Sequence, residues 1–265
     1  MKKFLVQVEE DGSPSYDFCF GMMVAERYFK WSHNRENLDI ILSQTGDKKL
    51  ENPNDYIPVG SVEFVEDFVK ANYGENAVRE LKPMYPEFFN DFYLGDMKLG
   101  NAYKAAEAIS KDPSAALHVK SATRIKDENN GSYGPSYILG MKDIYNKDNG
   151  WYVGSCIYPK SEWRVFVNDG IILGIKNYNG SPWILPNEEV VKRLVDGYCE
   201  SIKYKTEESN TFVLDVGVSP IDGATKVVEI HEFYSCGLYG FDLYERLPYM
   251  FSKQWFHILN RIKKV

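Results

Sequence analysis

A basic excess is the first thing this sequence lacks: 31 Lys and Arg stand against 38 Asp and Glu, a net charge of −7 over 265 residues. A nonspecific nucleic-acid binder or a protein held on an anionic membrane needs a basic footprint, so both classes are disfavoured, although a small local basic pocket is not. Long apolar runs are absent too, and none approaches the roughly 18 residues of a membrane-spanning helix. Met1-Lys2-Lys3-Phe4-Leu5-Val6 opens like an export signal, but Gln7, Glu9, Glu10 and Asp11 cut it short. It reads better as a first β-strand. Cysteine is scarce: Cys19, Cys156, Cys199 and Cys236 are scattered with no C-x-x-C pair. Free thiols in a reducing cytoplasm are the expectation, and no zinc spacing is recognisable. The chain has no P-loop, no G-x-G-x-x-G and no G-x-S-x-G. Internal repeats and low-complexity tracts are missing as well.

What is present is globular composition, 44% hydrophobic and 26% charged. The length suits one large or two ordinary domains of roughly 150 residues each. Such a chain buries roughly 70–75% of its unfolded surface and needs no disulfide or metal staple.

Strand signals are clearest in the second half. Trp151 to Tyr158 is aromatic and β-branched and stops at Pro159. Glu162 to Val167 and Ile171 to Tyr178 flank Asn168-Asp169-Gly170, a strong hairpin signal. Asn187 is placed to cap a helix in which Val190, Val191, Leu194, Val195 and Tyr198 recur at helical spacing. Thr211 to Val218 and Thr225 to His231 are two more strands around a Pro220-Ile221-Asp222-Gly223 turn, and a helix from about Phe251 to Ile262 closes the chain. Earlier, helices are expected at Phe18–Trp31, Val62–Asn72 and Asn101–Ser110, a strand at Leu117–Lys120, and a polar loop at Lys126–Gly134. Lys82 to Glu87, with its two prolines, is a candidate hinge between an N-terminal α/β unit and the rest.

Several charges sit inside these strands. Arg164 lies in Trp163-Arg164-Val165-Phe166, Lys176 ends an apolar run, Asp215 interrupts Phe212–Val216, and Glu229 shares a strand face with His231. A carboxylate in a β-branched strand is costly to bury unless it is paired or holds a cation. The residues alone allow two readings: ordinary salt bridges, or a site where carboxylates hold Mg²⁺ and cations hold phosphate.

The order of these segments adds a resemblance. Ser161-Glu162-Trp163-Arg164-Val165-Phe166-Val167, then Lys176-Asn177-Tyr178, a helix, Val213-Leu214-Asp215-Val216-Gly217-Val218, Val228-Glu229-Ile230-His231 and the tail Cys236-Gly237-Leu238-Tyr239-Gly240 together resemble the R-two-K clade of the ATP-grasp superfamily. That clade is common in bacteria and phages. It is related to a eukaryotic cell-division-cycle protein that assists assembly of a translation initiation factor. The resemblance runs from about Leu117 to Gly240.

It implies an α+β fold in which two α+β subdomains clamp ATP, spanning 96–265 and preceded by an N-terminal α/β domain over 1–95. Lys120 matches the strand lysine on the phosphates, with Lys126 as a second cation. Arg164 and Lys176 match the catalytic cations that neutralise the phosphates. Asp215 and Glu229 match the Mg²⁺ ligands. Cys156 and Ile157 lie in the hinge that meets the adenine edge. His231 occupies a slot that is usually Asn. The implied activity is phosphorylation of a carboxylate and its joining to an amine or other nucleophile, with a peptide or protein among the acceptors. The alternative is an ATP-binding assembly protein with little turnover. Both belong in a cytoplasm, the host's if a phage encodes the chain.

Overall fold

A computed structural model describes residues 2–32, 38–112, 114–205 and 208–264. Its three sheets and the helices packed on them make a mixed α+β structure.

The first sheet is parallel. β1 (Lys3–Gln7) lies between β2 (Asp39–Ser43) and β3 (Tyr56–Val59); α1 (Asp17–Trp31) is the crossover from β1 to β2, and α2 (Val62–Tyr73) follows β3. Phe4, Leu5 and Val6 are all buried, as a strand covered on both faces requires. Ser61 caps α2 by accepting from the Phe64 amide at 3.1 Å.

The second sheet runs β4 (Lys98–Gly100), β7 (Trp151–Ser155), β5 (Leu117–Ser121), β6 (Gly131–Tyr133), all antiparallel. α3 (Ala102–Ile109), α4 (Pro135–Gly140) and α5 (Lys142–Tyr145) supply Ala102, Ala106, Ile138 and Tyr145 to a small core beneath Val119 and Trp151. Part of the expected loop Lys126–Gly134 is therefore strand, because Gly131–Tyr133 pairs with β5. The strand expected to Tyr158 ends at Ser155, where pairing with Leu117 runs out.

The third sheet has the order β11 (Thr225–Glu232), β10 (Phe212–Val218), β8 (Ser161–Asn168), β9 (Ile171–Gly180). The Asn168–Ile171 hairpin turns through Asp169 and Gly170, both at positive φ (53° and 75°), the signature of a type I′ turn. All seven residues of β10 are buried. One face of this sheet presents Trp163, Val165, Leu214, Val216 and Ile230 to α6 (Glu188–Ile202), whose Val191, Leu194, Val195 and Tyr198 form its inner stripe. Asn187 caps that helix as expected, accepting from the Val190 amide at 3.0 Å.

The other face joins the first sheet. Phe166 and Val213 belong to one core with Phe4, Val59, Phe68, Phe233 and the inner side of α7 (Leu247–Ile262). α7 starts a turn earlier than its periodicity suggests, with Pro248 in its first turn, where a missing N–H costs nothing. It packs against α1 and β3, so the last helix of the chain completes the first sheet's core.

Lys82–Glu87, expected as a hinge, lies against the third sheet through Met84. Met84 bridges Ile230, and Tyr85 stacks on Tyr152 of β7 with ring centroids 3.5 Å apart. Further along, the Val227 amide donates to the Phe92 carbonyl at 2.9 Å, and Tyr93 bridges Val227.

Candidate active site

Register assembles the site. Across the third sheet, Lys176 pairs with Arg164, Arg164 with Asp215, and Asp215 with Glu229, one charged residue from each of four strands. Direct cross-strand partners share a face, so the four charges form one rung. The rung lies on the face opposite α6.

Arg164 and Asp215 meet fork to fork: Nε donates to Oδ1 at 2.8 Å and Nη2 to Oδ2 at 2.7 Å. They are only 7% and 2% exposed. The guanidinium also donates through Nη1 to the Gly237 carbonyl at 3.1 Å. The rings of Tyr239 and Tyr178 lie 5.0 and 5.6 Å from its central carbon. Burial alone would raise the Asp215 carboxyl, but hydrogen bonds from Arg164 and His231 outweigh it and bring the pKa down to about 2.

Glu229 is held differently. Lys120 reaches from β5 in the second sheet and places Nζ 2.5 Å from Glu229 Oε2. Burial pushes the Glu229 carboxyl up; His231 and Lys120 more than reverse that, so it stays ionised below the usual range. His231 Nε2 stands 3.4 Å from Glu229 Oε2 and 3.6 Å from Asp215 Oδ2. Next to Lys120, burial and the ammonium lower the His118 pKa to about 4, leaving a neutral ring whose Nδ1 is 2.9 Å from Ser132 Oγ.

A cleft of about 270 Å³ opens over Glu229 and His231. Lys120, Lys126 and Arg164 line it, and so do Lys82 and Arg124, two cations that strand patterning does not single out. Arg124 is set by the turn after β5, where Ser121 Oγ accepts from its amide at 3.2 Å and Asn130 Oδ1 accepts from the Ser121 amide at 2.6 Å. Lys126 is spread toward α2 and pairs with Glu63 at 3.3 Å. Lys176 stands on the rung, but its ammonium lies 3.6 Å from Asp242 on the exposed side. Cys156 and Ile157 stand apart from the cleft wall, past the end of β7, and the Cys156 amide already donates to the Ala116 carbonyl at 3.0 Å.

Asp215, Glu229 and His231 offer three ligand atoms within 4.8 Å of one another. Two carboxylates suit a hard divalent cation such as Mg²⁺. A carboxylate has about four lone-pair sites and the Arg164 fork uses two, so Asp215 keeps acceptor capacity on the His231 side. The donor set therefore fits a divalent cation. An imidazole in the third position shifts it toward transition metals. Around these acids stand the cations that a polyphosphate requires.

Comparisons with known proteins bear on the fold and the family. No curated protein matches the chain. Among solved structures, the RimK domain ATP-grasp protein of Sphaerobacter thermophilus is 13% identical, with a TM-score of 0.51 over 99% of this chain and 98% of that one. The N5-carboxyaminoimidazole ribonucleotide synthetase of Thermotoga maritima is 10% identical, with a TM-score of 0.51 over 96% of this chain and 76% of that one. The N5-carboxyaminoimidazole synthetase of Staphylococcus aureus is 9% identical, with a TM-score of 0.51 over 87% and 71%. At such identities these likenesses speak for the fold, which is ATP-grasp. Residues 101–247, more than half of the sequence, match the family model of the ATP-grasp domain, R2K clade family 2. The sheet carrying the charged rung lies within that match, and the chain belongs to the R2K clade of the ATP-grasp family.

Proposed function

We propose that this chain is an ATP-dependent ligase that phosphorylates a carboxylate and joins it to an amine or another nucleophile. The observation that carries the reading is the rung Lys176–Arg164–Asp215–Glu229, met from the opposite sheet by Lys120. Two acids flanked by cations from two sheets suit a metal-bound triphosphate better than either charge alone would.

In this reading Asp215 and Glu229 hold Mg²⁺, with His231 beside them. The ion would supply charge neutralisation at the transferring phosphoryl group. Lys120 leaves Glu229 for the phosphates, and Arg124 and Lys126 cover them from the loop after β5. Lys176 joins from the rung, while Arg164 fixes Asp215 and adds its charge from behind. The carboxylate oxygen of the acceptor bonds to the γ-phosphorus as the bond to the bridging oxygen breaks and ADP leaves. The amine nitrogen then attacks the acyl carbon, phosphate departs, and the nitrogen loses a proton. The acceptor is a small carboxylic acid or a peptide or protein carboxylate, and the reaction belongs in a cytoplasm.

One observation favours a second reading, an ATP-binding assembly protein with little turnover. Both acids are already neutralised, Asp215 by Arg164 and Glu229 by Lys120, and an imidazole stands where an amide is usual. One assay separates the two: ADP and phosphate release from Mg-ATP, with and without pools of amino acids and peptides. Release that needs an added acceptor and disappears in Glu229→Gln supports the ligase. Tight Mg-ATP binding without release under any acceptor supports the assembly protein.

A further inference from the structure

The family match begins at residue 101, yet two residues of the first sheet's unit hold the loop that packs on Arg164. After β11 the chain runs through Ser235–Gly240 with Ser235, Tyr239 and Gly240 at φ of 51°, 49° and 85°. Left-handed backbone at two non-glycine residues persists only where surroundings enforce it. Here the enforcement comes from far away in sequence. Asp17 Oδ2, in the first turn of α1, accepts from the Leu238 amide at 2.7 Å and from the Tyr239 amide at 3.2 Å. Ser235 Oγ donates to the Gly60 carbonyl, just past β3, at 2.5 Å.

Between those anchors the loop delivers two contacts to one side chain. The Gly237 carbonyl takes Arg164 Nη1 at 3.1 Å, and the Tyr239 ring lies 5.0 Å from the guanidinium while stacking on Tyr178 at 5.1 Å. Arg164 in turn grips both oxygens of Asp215. An acidic residue in a helix's first turn has a bland use, offsetting the helix dipole. Asp17 does more than that, because its carboxylate is spent on the amides of another segment.

We infer that Asp17 is a positioning residue for the reaction site: through the Ser235–Gly240 loop it locks Arg164, and so fixes the Asp215 carboxylate toward the metal-nucleotide. The metal consequence rests on the proposed function; the lock itself does not. The inference gives the N-terminal unit a role in the chemistry. Asp17 is exposed and Tyr239 is 47% exposed, so substitutions there spare the core.

The test uses the full chain with two readouts. The first is the Arg164 Nε–H signal in ¹H–¹⁵N spectra, assigned by its loss in Arg164→Lys; a locked, buried Nε–H exchanges slowly. The second is the Kd for ADP with and without Mg²⁺. Asp17→Ala should broaden or erase the slow signal and raise the Mg-ADP Kd about five- to tenfold, with metal-free ADP changed less than about twofold, as loss of two charge-assisted bonds implies. Asp17→Asn, which keeps an acceptor oxygen, should recover most of both. Tyr239→Ala should reproduce the loosened signal independently. A slow Arg164 signal that survives in Asp17→Ala and Tyr239→Ala overturns the inference. So does a lost signal with unchanged Mg-ADP affinity while Asp215→Asn loses it. If Asp215→Asn itself binds Mg-ADP normally, the metal assignment fails instead, and the spectra alone decide the lock.

Discussion

Lys120 and Glu229 sit 2.5 Å apart although their strands, β5 and β11, belong to different sheets. The ion pair thus spans the cleft. In the proposed reading, both groups change partners when a metal-bound triphosphate enters it.

Glu229→Gln removes the partner that holds Lys120 and one of the proposed metal ligands. Metal-dependent ATP binding should weaken about tenfold or more. Isothermal titration with and without Mg²⁺ reads the effect, and equal affinities for both proteins would refute the ligand assignment.

Asp215 is a different case, because its pair is buried. Breaking a buried ion pair by removing one partner costs about 3–5 kcal/mol, since the remaining charge is stranded. Arg164→Ala should lose roughly that much in urea unfolding, by the same rule. It should also bind ATP about tenfold more weakly, from the lost charge-assisted contacts. Arg164→Lys keeps the charge but not the two-pronged geometry, and should fall between.

The same pair sets an acid limit. The Asp215 pKa is about 2 when folded, against about 3.9 for an unfolded aspartate. Its contribution to stability, on the order of 2 kcal/mol, is complete above pH of about 4 and is lost as pH falls toward 2. In Asp215→Asn the slope of unfolding free energy against pH between about 4 and 2 should flatten relative to wild type. An identical slope would show that the pair is not the source.

His231 tests metal choice. Imidazole favours Mn²⁺ and its neighbours over Mg²⁺. His231→Asn should therefore shift the ratio of Mn²⁺ to Mg²⁺ affinity toward Mg²⁺, measured with ADP present. A ratio that does not move would place the ring outside the metal's ligands.

Lys126 and Glu63 form the contrasting pair. Both side chains are more than half exposed. Glu63→Ala should change stability by less than about 1 kcal/mol, and thermal unfolding would reveal any larger effect.

Much of the third sheet is legible in the sequence because antiparallel strands advertise themselves through hairpin chemistry. Asn168-Asp169-Gly170 and Asn187 behave as their residue types predict. The first sheet is harder to read. β3 is four residues long and contains Pro58, which argues against a central strand; β3 in fact lies at an edge, where a missing N–H is tolerated. β4 is three residues long and carries no periodicity to detect. For the site, charges inside apolar strands flag Arg164, Asp215 and Glu229, but only register aligns them on one rung. Lys82 and Arg124 come from irregular segments, where spacing says nothing about direction. The Gly237 carbonyl is invisible in sequence because its contribution is backbone.

The segment that runs beside β11 has a consequence for association between molecules. An unpaired sheet edge is a template on which another chain can add a strand. At one edge of the third sheet, the Met84–Ile230 and Tyr93–Val227 bridges and the Val227-to-Phe92 hydrogen bond occupy positions that an incoming strand would need. At the other, β9 meets β8 with register breaks after Glu162 and Phe166, and carries Lys176 in mid-strand. Bulges and a lysine spoil a flat edge. Replacing the Lys82–Pro86 segment with a flexible linker would bare β11 around Ile230, and edge-to-edge pairing of two molecules through that stretch would follow.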